Sequence, residues 1–309
     1  MPLELGVLNR RRFLAEIAGA GAAWMSQEAA MATGGTMAPE GTWALISDTH
    51  ISANPGEHHR GAWMAGNAGR AITEILSRDA GTAGVIVNGD CARLHGHADD
   101  YHHFAGLIEP LIHGRRELHL LMGNHDNREV FAHTCARAFP DRGGPTGRRT
   151  AFLPSEHVNW FLLDSLEDGS PIAGRLGREQ LDWLASALDR HPDKPAVVMA
   201  HHHLKIRPEN GRVFKPMSAL RDSFELYEVM KSRPQVKAYF YGHTHRWEIA
   251  RTREGIHLVN LPSSAYVFDA SQPAGWVEAT PREDGIDLEL RCLTPLHCAH
   301  GERHRLQWR

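Results

Sequence analysis

The sequence predicts an α/β domain in which helices cover β-sheets. From Thr42 onward, short apolar runs of strand length alternate with amphipathic stretches of helical period. Five of those apolar runs end in a short polar cluster. Size agrees: 309 residues is long for one average domain and short for two, and enough to bury a sizeable core.

The elements follow in order. Thr42–Ser47 reads as a strand ending at Asp48, and Ala65–Ser77 as a helix with Ile72, Ile75 and Leu76 on one face. Val85–Asn88 is a buried strand ending at Gly89-Asp90, and Asp99–Ile112 is helical. Leu118–Met122 is a strand ending at Gly123-Asn124. Asn127–Phe139 is a helix stopped by Pro140. Gly143–Arg149 is a polar loop, His157–Leu163 a strand, and Gly177–Leu188 a helix with Leu181, Leu184 and Leu188 on one face. Ala196–Ala200 is a strand ending at His201. Asp222–Ser232 is a helix, followed by the strand Val236–Tyr241, which ends at Gly242-His243. Four more strands are expected at Trp247–Thr252, Ile256–Asn260, Gly275–Thr280 and Ile286–Arg291. No repeat or linker divides 42–309, which reads as one domain.

Residues 1–32 read as an export signal and 33–41 as a leader. Arg10-Arg11-Arg12-Phe13-Leu14 precedes a weakly apolar stretch from Ala15 to Met25, and Ala30-Met31-Ala32 supplies small residues for cleavage. The arrangement resembles the twin-arginine type, although Glu16 interrupts the apolar stretch. That stretch is too short for a membrane span, and no other is apolar enough. The expected location is therefore periplasmic or extracellular; without a working signal, this segment is a basic leader on a cytoplasmic enzyme.

A net charge of −3 gives no electrostatic reason for a nucleic-acid polymer or an acidic membrane as partner. Cys91, Cys135, Cys292 and Cys298 form no C-x-x-C pair, so a structural zinc site is not indicated. Cys292 and Cys298 are near enough in sequence to bridge a turn, but are expected not to. Histidine stands out, with 22 copies.

The five strand-end clusters are Asp48-Thr49-His50, Gly89-Asp90, Gly123-Asn124-His125-Asp126, His201-His202-His203 and Gly242-His243-Thr244-His245. Ligand sites of open α/β sheets lie beyond the carboxyl ends of strands, so the clusters can converge. Period-two geometry is expected to put Asp48 and His50 on the same side. Imidazoles, carboxylates and one amide, without thiolates, suit zinc, iron or manganese. Each cluster alone has a bland reading as a turn or a solvated run; the ordered set does not.

In that order the clusters resemble the signature of calcineurin-like metallophosphoesterases over about residues 42–268. The resemblance implies a four-layer α-β-β-α sandwich with two mixed sheets. Leu163-Asp164-Ser165 and Gly174 to Leu184, with the strand into His201, are similar to bacterial cyclic-nucleotide phosphodiesterases and their glycerophosphodiesterase relatives. Arg93 stands where purple acid phosphatases carry a metal-binding Tyr, and Cys91-Ala92-Arg93 replaces the Val-Asp-Arg of protein Ser/Thr phosphatases. His202-His203-Leu204 stands where many relatives have His-Pro-Pro, which alters the expected substrate rim.

The resemblance implies Asp48, His50 and His245 on one divalent metal, Asn124, His201 and His243 on the other, and Asp90 between them. His202 is an alternative to His201. Two metals would make hydroxide available near neutral pH as the nucleophile. His125 is expected to protonate the leaving alkoxide or bind phosphate, and Asp126 to orient His125 or hold an outer contact. His95, His97, His102 and His103 are expected on a solvated loop and helix face, and Trp183 in the core. The expected substrate is a small phosphate diester. A phosphomonoesterase or nucleotidase on the same fold uses the same ligands; a non-catalytic scaffold or metal store is the remote alternative.

Overall fold

Strand residues that alternate between two apolar environments build the centre of this protein. In the computed structural model, residues 41–78, 82–114, 116–135, 145, 147–205 and 218–308 are described. The expected signal, with Arg10 to Leu14 and Ala30 to Ala32, and residues 33–40 of the leader lie outside them, as does the end of the helix expected to stop at Pro140.

One sheet has six strands in the order β14 (Arg303–Gln307), β13 (Gly285–Cys292), β12 (Gly275–Arg282), β1 (Thr42–Ile46), β4 (Thr82–Asn88) and β5 (Glu117–Leu121). The other runs β10 (Glu248–Arg251), β11 (His257–Asn260), β9 (Val236–Tyr241), β8 (Ala196–Met199), β7 (Asn159–Leu162) and β6 (Ala151–Pro154). Both are mixed, with β1, β4 and β5 parallel in the first and β7, β8, β9 and β11 parallel in the second.

In β1, Trp43 and Leu45 point between the sheets, where they join Ile86, Trp160, Val197, Met199 and Phe240. Ala44 and Ile46 point outward with Val85 and Val87, under the helices α1 (Met64–Ser77), α2 (Ala98–His113) and α3 (Arg128–Cys135). On the far side, Phe161, Val198 and Tyr239 pack under α4 (Arg178–Asp189) and α5 (Ser223–Lys231). This is the expected α-β-β-α sandwich. Trp43 and Trp160 are wholly buried, 5.8 Å apart across the inner layer; truncating such a side chain typically costs roughly 3–5 kcal/mol.

Several details differ from expectation. β1 ends at Ile46, so Asp48 and His50 lie in the loop beyond it. Both have positive φ, 54° and 45°. They share a side because of that left-handed backbone, not because of strand period. β14, β6 and a two-residue-strand hairpin, β2 (His58–His59) with β3 (Ala62–Trp63), were not expected. Trp183 is only half-buried against the outer core. Cys292 is buried and Cys298 exposed, both as free thiols. No helix among the described residues is long and apolar enough to cross a membrane.

Candidate metal centre

The parallel strands β1, β4 and β5 deliver three of the polar clusters to one edge of their sheet, and β8 with β9 delivers two more from the other. Backbone hydrogen bonds tie the loops together: His50 N to Asp90 O at 2.9 Å, and Gly242 N to His201 O at 3.0 Å. The sheets are tied across the sandwich by His201 Nδ1 to Asn88 O, 2.7 Å, and by His243 N to the Asp48 carboxylate, 3.1 Å. All five clusters therefore meet in one place.

The backbone there is strained. Asp48, His50, Asp90, His243 and His245 all have positive φ, between 45° and 67°. A non-glycine residue in this region costs on the order of 1 kcal/mol, and such costs collect at functional sites. Packing is equally tight. A Cβ on Gly242 would strike Ser47 Oγ and come within 2.6 Å of Asp48 Oδ2. One on Gly123 would overlap Asp90 Oδ1.

Among the histidines expected to hold metal, His50, His245 and His201 have their Nδ1 against a backbone carbonyl: Arg93 at 3.3 Å, Tyr266 at 2.6 Å and Asn88 at 2.7 Å. A carbonyl only accepts, so each Nδ1 carries the proton and each Nε2 presents a lone pair inward. Those nitrogens face carboxylate oxygens. Asp48 Oδ1 lies 3.3 Å from His245 Nε2 and 4.0 Å from His50 Nε2. Asp90 Oδ2 lies 3.2 Å from His201 Nε2 and 3.7 Å from His50 Nε2. His50 Nε2 and His245 Nε2 are 3.1 Å apart. Asn124 gives its amide to Pro171 O at 3.0 Å and leaves Oδ1 buried without a hydrogen-bond partner; His201 Nε2 is equally unpartnered.

Lone pairs facing lone pairs in a buried site need cations, and this donor set fits divalent metals. The ligand atoms fall into overlapping groups: Asp48, His50 and His245; His50, Asp90 and His125; Asp90, His201 and His243. Asp90 is shared between the two halves. Titration reflects the same demand for positive charge. Burial disfavours a charged His201, but the carboxylates of Asp90 and Asp48 outweigh it and push the imidazole up to about 10, so that without a metal a proton takes the Nε2 position that a cation would fill. Burial pushes His50 down to about 3, despite the nearby Asp90. Burial would raise Asp48 and Asp90, yet the histidines around them hold both well below the usual carboxylate range.

Of the three consecutive histidines, His201 is the one grouped with Asp90. His202 is wholly buried, with Nδ1 on Ser165 Oγ at 2.8 Å, and its ring packs 4.7 Å from that of His243. His203 is also buried, 5.9 Å from the His243 ring. Neither belongs to a rim. His95, His97 and His102 are exposed and His103 half-buried.

His125 is half-buried, its ring edge-on to His50 at 5.0 Å and its Nδ1 on Leu94 O at 3.0 Å. Asp126 does not hold it. The Asp126 carboxylate accepts from the backbone N–H of Gly123, Cys91 and Ala92, at 2.9 to 3.2 Å, and from Tyr101 Oη at 3.2 Å. It fastens the Asp90 loop to the Asn124 loop. Burial and the charge of Asp90 push its carboxyl up to about 6, against the pull of those N–H donors. Tyr101, Tyr266 and Phe268 border the site without any signal in the local sequence, whereas Ser165, on His202, belongs to the Leu163-Asp164-Ser165 stretch that carries part of the resemblance.

Asp126→Asn would turn an amide NH2 toward N–H donors. The expected result is a loss of about 2 kcal/mol of stability and a 10–100-fold loss of metal affinity, read by thermal unfolding and metal titration. Unchanged metal affinity with an altered pH–rate profile would instead mean that Asp126 acts on His125.

The calcineurin-like phosphoesterase family matches residues 42–247. The 3',5'-cyclic adenosine monophosphate phosphodiesterase CpdA of Escherichia coli is 30% identical over 226 residues, 72% of this chain and 76% of the relative. That of Haemophilus influenzae is 27% identical over 249 residues, 78% and 85% of the two chains. Among solved structures, a dimetal phosphatase from Danio rerio superposes with a TM-score of 0.67 at 16% identity, covering 88% of this chain and 100% of that one.

Proposed function

The chain belongs to the calcineurin-like phosphoesterase family, and from that premise we propose that it is a two-metal phosphodiesterase acting on small phosphate diesters, cyclic nucleotides first among them. The observation that carries this reading is the convergence of carboxylates and imidazoles from five loops on one buried centre, with Asn124 Oδ1 and His201 Nε2 buried there without a hydrogen-bond partner. Similarity to cyclic-nucleotide phosphodiesterases supports the substrate class.

We assign Asp48, His50 and His245 to one cation, Asn124, His201 and His243 to the second, and Asp90 to both. Divalent manganese, iron or zinc would supply positive charge for the phosphoryl oxygens and make hydroxide available near neutral pH. The chain supplies the rest. The carbonyls of Arg93, Tyr266 and Asn88 fix the imidazoles with Nε2 inward. His125 keeps its Nδ1–H on Leu94 O, so Nε2 is the atom left to carry the second proton of the imidazolium and give it to the departing alkoxide. Asp126 keeps the Asp90 and Asn124 loops in register.

Turnover of adenosine 3',5'-cyclic monophosphate against adenosine 5'-monophosphate tests the reading. Release of the monoester as a stable product is expected. Release of inorganic phosphate from the monoester alone would replace this reading with a nucleotidase.

Residues 1–32 read as an export signal, and an exported enzyme would meet diesters outside the cytoplasm. Changing Arg10 and Arg11 together to Lys is then expected to hold the folded enzyme in the cytoplasm, read by fractionation. Unchanged distribution would remove the export reading.

A further inference from the structure

One wall beside the proposed metal centre is unlike its surroundings. Phe268 is 54% exposed, yet its ring lies only 4.5 Å from that of His245. Tyr266 stands beside it, 5.7 Å away and edge-on, and 5.0 Å from His50. Over Phe268 sits Arg60, its guanidinium carbon 5.0 Å from the ring centre.

Arg60 is brought there by the hairpin of β2 and β3. The two turn residues, Arg60 and Gly61, have φ of 49° and 78°. Such turns favour Asn, Asp or Gly in the first position. An arginine there bears strain that the turn does not require, which points to use of its side chain. Arg60 is exposed and has no acidic partner among the described residues, whereas Arg93 nearby is paired with Glu57 at 2.7 Å.

We infer that Phe268 and Arg60 form a stacking plate for the purine base of a nucleoside phosphate whose phosphate occupies the metal centre. This inference rests on the phosphodiesterase reading and adds the part of the substrate that is recognised. A planar guanidinium layered over a phenyl ring suits a flat π-system, because a base can continue the pile on the outer face of Arg60 with Phe268 as its support. An acyl chain gains nothing from the guanidinium, and the patch is one ring wide.

The test uses the metal-loaded full chain and two ligands that differ only by the base, adenosine 5'-monophosphate and ribose 5-phosphate. Calorimetry is expected to show the nucleotide binding about tenfold tighter. Phe268→Ala is expected to abolish that ratio, Arg60→Ala to reduce it, and Phe268→Trp to keep it. In parallel, Phe268→Ala lowers the ratio of kcat/KM for adenosine 3',5'-cyclic monophosphate over glycerophosphoethanolamine about tenfold. Equal weakening of both ligands would make Phe268 only a support for His245 and overturn the inference, as would no change in either ratio. If no diester is hydrolysed but the binding ratio still depends on Phe268, the plate stands and the phosphodiesterase reading falls. If diesters are hydrolysed and the binding ratio is unity in the unaltered chain, the plate falls and that reading stands.

Discussion

Asp90→Ala is expected to lower kcat/KM by at least about a thousandfold, roughly 4 kcal/mol of transition-state stabilisation, and to cut bound metal from about two per chain to about one or less. The reason is position. Asp90 Oδ2 faces His201 Nε2 at 3.2 Å and His50 Nε2 at 3.7 Å, so one oxygen serves both halves of the centre. Its other oxygen accepts the His125 backbone N–H at 2.9 Å, which places the proposed proton donor. On the proposed assignment, removing the carboxylate would take a ligand from each cation and a tether from His125. Removing a residue assigned to one cation alone, such as His245, should leave the other half loaded. Metal analysis of the purified variants distinguishes these outcomes. Two metals retained by Asp90→Ala would show that it bridges nothing.

His125→Ala carries the second large effect, and its signature differs. General-acid catalysis is worth roughly 10²–10⁴-fold, so kcat on an alkyl-leaving diester should fall by that range while metal content stays unchanged. The loss should shrink for bis-p-nitrophenyl phosphate, because p-nitrophenolate leaves readily without a proton. The geometry favours this assignment: His125 is half-buried, edge-on to His50, and its Nδ1 is committed to Leu94 O. His125 also falls in a group with His50 and Asp90 that places it within reach of a cation. Loss of one metal on His125→Ala, with equal damage for every leaving group, would make it a ligand and not an acid.

Much of this site is legible in the sequence for a physical reason. A buried strand is an uninterrupted apolar run, and an Asp or His that stops it must leave the core at the strand's end. Five such stops, three of them introduced by glycine, mark one end of the sandwich before any coordinates are known. The core helices are legible for the same kind of reason: Leu181, Leu184 and Leu188 recur at helical spacing and are all buried.

What escapes the sequence is local or distant. Positive φ at Asp48, His50, Asp90, His243 and His245 leaves no compositional mark, because glycine is the usual sign of that backbone. β14 reads Arg-His-Arg-Leu-Gln and buries only Leu306, so no alternation announces it. β6 ends in a proline and pairs only with β7, as an edge strand can. Asp126 adjoins His125 in sequence and suggests a partnership, but the chain turns its carboxylate toward the backbone of the Asp90 loop. Phe268 and Tyr266 lie more than 20 residues beyond His243-Thr244-His245 and reach the site only through the return of the chain along β11.

The most direct test loads the full chain with manganese, counts metal per chain, and compares hydrolysis of bis-p-nitrophenyl phosphate with that of p-nitrophenyl phosphate. About two manganese ions per chain and a preference for the diester are the predicted result. Bound metal with no turnover of either ester would contradict the account at its centre, and a preference for the monoester would contradict its choice of substrate.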